Sequence, residues 1–174
     1  YKSFQFFELY HNKILNKTKI ICIKEPRHLG TGGSLNYSKK LIQNNTLICN
    51  GDTYINYDFK NLKKLQLNKK NIVIGCINNI NYKSNKKLNS LKINYDFKVS
   101  FTKNSKLMNS GIYIVNKNFK KLLNKNIISF EDDLVEKLIK EKKVYGFKIK
   151  NYSLDIGTKK NYNKFVILSK KLNS

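Results

Sequence analysis

The chain has 174 residues, 40% of them hydrophobic, with 35 Lys and Arg against 11 Asp and Glu and a formal net charge of +24. That length suits one domain, residues 1–174, with a core of its own, and it contains neither a signal peptide nor an apolar run long enough to span a membrane. The lysines are spread over almost every segment beside an equally heavy load of Asn and Ile. A/T-rich coding accounts for all three, so a generic basic surface ranks ahead of attraction for small polyanions, and both rank ahead of a nucleic-acid partner.

The opening stretch YKSFQFFELYHNK has the periodicity of an amphipathic helix and starts without Met, as a truncated sequence would. KIICIK, residues 19–24, is β-branched and apolar up to Glu25-Pro26 and reads as a buried strand. A glycine-rich turn leads into a helix over Gly32–Gln43, and TLICN at 46–50 is a second strand ending in Gly51-Asp52. Residues 58–69 begin with an N-cap Asp and space their leucines as a helix does; NIVIGCI at 71–77 is a third strand. The order is β-α-β-α-β. Cys22, Cys49 and Cys76 repeat that rhythm at equal intervals. With no CxxC pair they read as small buried hydrophobes of a reducing compartment, the cytoplasm.

Between 78 and 107 the chain is polar and irregular, with LKI and KVSFT as short pieces that could pair antiparallel. GIYIVN at 111–116 is again a strand, followed by helices at NFKKLL and EDDLVEKLIKEKK, a strand at VYGFKIK and a closing helix from Lys159 to Leu172. Strands alternating with helices indicate an α/β fold: a Rossmann-like three-layer α/β/α arrangement whose mixed sheet is mostly parallel, with ligands beyond the strands' carboxyl ends.

Two aspartates follow strands beside glycines, Asp52 in NGD and Asp155 in DIGT. A pair of carboxylates at strand ends suits Mg²⁺, which takes one or two protein carboxylates plus phosphate oxygens; each alone is also an ordinary turn residue. Glu25-Pro-Arg-His-Leu-Gly-Thr-Gly-Gly-Ser34 runs through glycines into a helix, whose N-terminal N–H groups favour an anion or a base edge, although it is neither a GxGxxG fingerprint nor a P-loop. Asn109 and Gly111 bring an amide and an open backbone to a strand, where they could meet sugar hydroxyls or simply form a turn. Ser129-Phe-Glu-Asp132 satisfies a capping box, which leaves Glu131 able to face a ligand. His11 and His28 read as surface residues, and no Ser-His-Asp or Cys-His set stands out.

LGTGG, NGD, NSGIY, SFEDD, YGF and DIGT occur in the order found in the sugar-phosphate nucleotidyltransferases, and the chain resembles that family over essentially its whole length. Within the family it looks most like the D-glycero-D-manno-heptose 1-phosphate guanylyltransferases. The resemblance implies transfer of a nucleoside monophosphate, from GTP, to a sugar 1-phosphate with release of pyrophosphate, toward surface polysaccharide precursors. It implies Mg²⁺ on Asp52 and Asp155, a nucleotide against Glu25, Gly30, Thr31 and Gly51, and a sugar against Asn109, Gly111 and Glu131. A carboxylate at Glu25 also suits the adjacent N–H donors of guanine. The family's opening strand and glycine-rich phosphate loop have no counterpart here, so the fold is expected to be N-terminally truncated. Uridylyl or thymidylyl transfer is the alternative, and beyond it an inactive fragment or a basic nucleic-acid-binding module with Tyr54, Tyr57 and Phe59 stacking on bases.

Overall fold

The computed structural model describes residues 2–58, 70–78, 90–150 and 153–172. Helix α1 (Ser3–Tyr10) leads to a minimal hairpin of β1 (Ile14–Leu15) and β2 (Thr18–Lys19). Helix α2 (Gly30–Tyr37) precedes β3 (Thr46–Cys49) and β4 (Thr53–Ile55). Then come β5 (Ile72–Asn78), β6 (Leu91–Ile93), β7 (Val99–Phe101) and β8 (Leu107–Val115). A 3₁₀ turn at Lys117–Leu122 and a π-helical turn at Phe130–Val135 run into α3 (Glu136–Lys140). The chain closes with β9 (Val144–Ile149), β10 (Ser153–Asp155) and α4 (Lys159–Leu172).

The centre is the β5–β8 pair, antiparallel with Ile72 opposite Val115 and Ile74 opposite Tyr113. β-Branched runs fit this pleated, buried position because their stiff side chains pack on both faces. Alternation sends Ile72, Ile74, Cys76, Tyr113 and Val115 to one face, where Phe119, Phe130, Leu134, Val135, Leu138 and Ile139 close over them. Each such side chain contributes about 1.5–3 kcal/mol on burial. Val73 and Ile114 face the other way, against Tyr145 and Phe147.

The sheet is mixed. β9 runs parallel to β5, while β8 runs antiparallel to β3, β5 and β6. β3, β5, β6 and β9 thus share one direction, but β5–β9 is the one directly parallel pair among the described strands; the insertion of β8 replaces the parallel neighbours expected from strand-helix alternation. The short pieces LKI and KVSFT do form the antiparallel β6–β7 pair.

KIICIK departs from expectation. Only Lys19 of that run belongs to a strand, and Ile21 and Ile23 are 50% and 43% exposed. A strand needs a neighbouring edge to receive its N–H and C=O groups, and no described strand runs beside residues 20–24; the segment instead bonds back through Ile20 N–H to the Lys13 carbonyl and Cys22 N–H to His11 Nδ1. The cysteines divide accordingly: Cys76 is buried, Cys22 half-buried and Cys49 exposed at the end of β3, so the expectation of three buried thiols holds for Cys76 alone. His11 is half-buried and stacked on Phe7, not a free surface residue, whereas His28 is exposed.

Helix α2 begins two residues before the predicted Gly32 and ends at Tyr37, continued by a 3₁₀ turn at Lys39–Leu41. NFKKLL tightens into 3₁₀ geometry after Asn116, whose side chain accepts the Asn118 N–H. The helix read over 58–69 lies outside the described residues apart from Asp58. Lys159–Leu172 forms the helix its pattern predicts.

Candidate active site

Strands β4 and β10 pair antiparallel with Asp155 opposite Thr53, which carries Asp155 to the neighbour of Asp52. The Ile156 N–H then bonds the Asp52 carbonyl at 2.7 Å, and Gly157 N–H bonds Asp155 Oδ1 at 2.8 Å. Gly157 measures the convergence: a Cβ there would lie 3.1 Å from Asp155 Oδ1 and 3.2 Å from Asp52 Oδ2. The two carboxylates therefore bracket one point, Asp52 exposed and Asp155 half-buried. A donor set of two hard oxygens with room for further ligands fits Mg²⁺, whose other positions go to water and phosphate. Among the described residues no third His, Cys, Asp or Glu joins them to make an all-protein cage.

The glycine-rich segment packs against residues 127–131. Gly30 has φ +74, and a Cβ on it would meet the Ile128 carbonyl at 2.5 Å, so only glycine lets α2 start there. Gly32 N–H bonds the same carbonyl at 2.8 Å. Ile128 is in turn held by Asp133, whose Oδ2 accepts the Ile128 and Ser129 N–H groups, both at 2.9 Å. Ser129 Oγ accepts the Asp132 N–H at 3.1 Å, so the capping box is real, with the acid that reaches back displaced by one residue from Asp132 to Asp133. Glu25 braces the other side of the turn: Ser34 Oγ bonds its Oε1, and Leu29 N–H approaches Oε2 at 3.4 Å.

The third group sits on β8 at an irregularity. Ile74 pairs with Tyr113 and Cys76 with Asn109, so Gly75 alone opposes Ser110, Gly111 and Ile112. This bulge turns Gly111 to φ +74 and presses it against Asn50, whose Nδ2 would lie 2.8 Å from a Cβ on Gly111. Asn50 N–H also bonds the Gly111 carbonyl at 3.1 Å. Asn109 Oδ1 accepts the Gly111 N–H at 3.1 Å while its Nδ2 donates to the Tyr113 hydroxyl. That hydroxyl donates to Glu131 Oε1 at 3.0 Å, and Thr31 Oγ1 reaches Glu131 Oε2 at 3.4 Å while accepting the Phe130 N–H at 2.8 Å.

Asn109 and Glu131, expected at the sugar, and Thr31, expected at the nucleotide, are thus members of one hydrogen-bonded chain, whereas Gly51 is exposed with open space beside it. The sequence reading missed Asn50, Tyr113, Ser34 and Asp133. Tyr113 carried a usable signal, a hydroxyl-bearing ring in an otherwise aliphatic run at the alternation of Asn109 and Gly111. Tyr54 and Tyr57, considered for base stacking, instead pack on Phe165 and Phe147 at 5.0 and 5.6 Å between ring centroids; Phe59 lies outside the described residues.

No family profile matches the chain. A curated relative, the D-glycero-alpha-D-manno-heptose 1-phosphate guanylyltransferase of Campylobacter jejuni, is 30% identical over 171 residues, which are 96% of this chain and 75% of that protein. HddC from Yersinia pseudotuberculosis superposes with a TM-score of 0.66 at 29% identity, covering 86% of this chain and 66% of that one. The same protein complexed with GMP-PN gives 0.69 at 26%, over 94% and 73%. A Bacillus anthracis structure named as a glucose-1-phosphate thymidylyltransferase shares the fold at TM-score 0.67, with 13% identity over 96% of this chain and 68% of that one.

An α/β fold with converging strand-end carboxylates and a glycine-rich turn before a helix, joined to this relationship, defines the class: the chain belongs to the sugar-phosphate nucleotidyltransferases, enzymes that act on sugar 1-phosphates. Within that family its likeness is to the heptose 1-phosphate guanylyltransferases. No described helix is long and apolar enough to cross a membrane.

Proposed function

We propose that the protein transfers a guanylyl group from GTP to D-glycero-D-manno-heptose 1-phosphate, releasing pyrophosphate, as a cytoplasmic step toward surface polysaccharide precursors. The meeting of the Asp52 and Asp155 carboxylates at Gly157 carries the reading, in a chain whose curated relative bears that activity in its name. Asp52 and Asp155 would hold Mg²⁺, which when bound supplies charge neutralisation of the phosphates. A phosphate oxygen of the sugar 1-phosphate attacks the α-phosphorus in line, and the bond to pyrophosphate breaks; the protein's share is orientation and electrostatics.

Gly30, Thr31 and Gly51 would line the nucleotide side, where the N-terminus of α2 offers backbone donors. Glu25 keeps acceptor capacity beside its Ser34 and Leu29 contacts, since each carboxylate oxygen has two lone pairs, and would take the N–H donors of guanine. Asn109, Gly111 and Glu131 would meet the sugar.

Pyrophosphate release by the protein, measured for each nucleoside triphosphate with heptose, mannose and glucose 1-phosphates, tests the reading. Turnover with GTP and the heptose is expected, abolished by EDTA and restored by Mg²⁺. Turnover confined to UTP or dTTP would replace guanylyl transfer with uridylyl or thymidylyl transfer, and silence across the panel by folded protein would overturn it.

A further inference from the structure

Tyr113 is fully buried, its ring edge-on to Phe130 at 4.7 Å between centroids, and Phe130 is edge-on in turn to Phe119. Its hydroxyl is a polar atom on an otherwise apolar face of the sheet. The Glu131 carboxylate accepts and does not donate, so the Tyr113 proton points to Glu131 Oε1 at 3.0 Å, and the hydroxyl then accepts from Asn109 Nδ2. That fixes the Asn109 amide the right way round, since its Oδ1 must take the Gly111 N–H. Resting on the proposed function, we infer that Tyr113 is a positioning residue, whose hydroxyl holds Asn109 and Glu131 in register with each other so that one amide proton and one carboxylate oxygen face the sugar of the sugar 1-phosphate.

The chemistry suits a polyol. A free N–H beside a carboxylate oxygen serves a hydroxyl as acceptor and donor at once, and vicinal hydroxyls present such pairs. Burial and the adjacent Glu131 charge both hold the Tyr113 proton in place, so the direction of the chain does not reverse at neutral pH. The bulge at Ser110–Ile112 explains why a residue two positions past Gly111 is needed: the ladder is interrupted beside Asn109, so side-chain bonds do the orienting that strand pairing does elsewhere.

Tyr113→Phe removes the hydroxyl and keeps the ring, and two readouts separate orientation from folding. Calorimetric titration with heptose, mannose and glucose 1-phosphates should show the variant binding the preferred sugar about tenfold more weakly, as loss of a charge-assisted bond implies, with GTP affinity changed less than about twofold. Exchange of the Asn109 side-chain amide protons, followed by NMR without ligand, should quicken by about tenfold or more. Equal sugar affinity and equal amide exchange in the two proteins would overturn the role of Tyr113 while leaving the proposed function intact. Equal loss of sugar and nucleotide binding with a collapsed melting temperature would overturn it in favour of plain packing. Failure of the unsubstituted protein to bind any of the three sugars would overturn the proposed function and the sugar role together.

Discussion

At the residue scale the informative groups are those whose environment assigns them one job. Asp52 and Asp155 meet at Gly157 because β4 and β10 pair, and a carboxamide at either position keeps the shape while removing a charge. Asp52→Asn and Asp155→Asn are each expected to lower Mg²⁺-dependent pyrophosphate release by about 100-fold or more, the scale of losing one electrostatic stabiliser, with the melting temperature little changed. Activity within a few-fold of the parent in both variants would remove these residues from the site. That meeting could not be read from spacing. Two aspartates a hundred positions apart are turn residues until a strand pairing joins them, and it was the order of six short motifs that linked them. Tyr113 is marked in the sequence by a hydroxyl-bearing ring in an aliphatic strand, but the partners that give that hydroxyl a role, Asn109 and Glu131, come together only in the fold.

At the element scale, β5 and the second half of β8 were legible because their apolar runs are buried as their pattern implies, and α4 because its apolar spacing is helical, although its residues are only half-buried or exposed. KIICIK had as strong a strand pattern and does not form one, since alternation specifies which side chains go inward but not whether an edge waits for the backbone. The turns at Lys117–Leu122 and Phe130–Val135 were read as α-helix for a related reason: apolar spacing fixes a face, while the tightness of a short helix follows from what caps it and packs on it. The bulge of β8 was invisible as well, though Gly111 marks it. Gly111→Ala adds a Cβ at φ +74 and only 2.8 Å from Asn50 Nδ2. It should cost about 1–3 kcal/mol, visible as a lowered urea midpoint, and weaken sugar binding beyond its effect on stability. An unchanged midpoint would show that the bulge relaxes without strain.

At the scale of the whole molecule, the buried titratable groups set the alkaline limit. Burial pushes the Cys76 thiol from 9.0 up to about 12, and burial with the Glu131 charge holds the Tyr113 hydroxyl well above its usual 10.0. Both groups bind their protons more tightly folded than unfolded, so the stability they contribute is complete below about pH 9 and is lost as pH rises through the folded values. Melting temperature should therefore fall from pH 9 upward, and more steeply past pH 10. The decisive comparison is with Tyr113→Phe, whose decline above pH 10 should be shallower than the parent's. Identical slopes would remove Tyr113 from the alkaline transition.

The hydrogen-bonded chain from Thr31 through Glu131 and Tyr113 to Asn109 also has a kinetic meaning. Asn109, Tyr113 and Glu131 are near one another in sequence, but the Thr31–Glu131 contact spans 100 positions, and a contact of that separation closes only after the entropy of a very long loop has been overcome. The central sheet has to exist before the chain can, which makes ligand competence a late arrival during refolding. In a stopped-flow experiment, recovery of sugar-phosphate binding should lag recovery of β-sheet circular dichroism, and mild urea should abolish binding before the sheet signal falls. Simultaneous recovery would mean that site and sheet condense in one step.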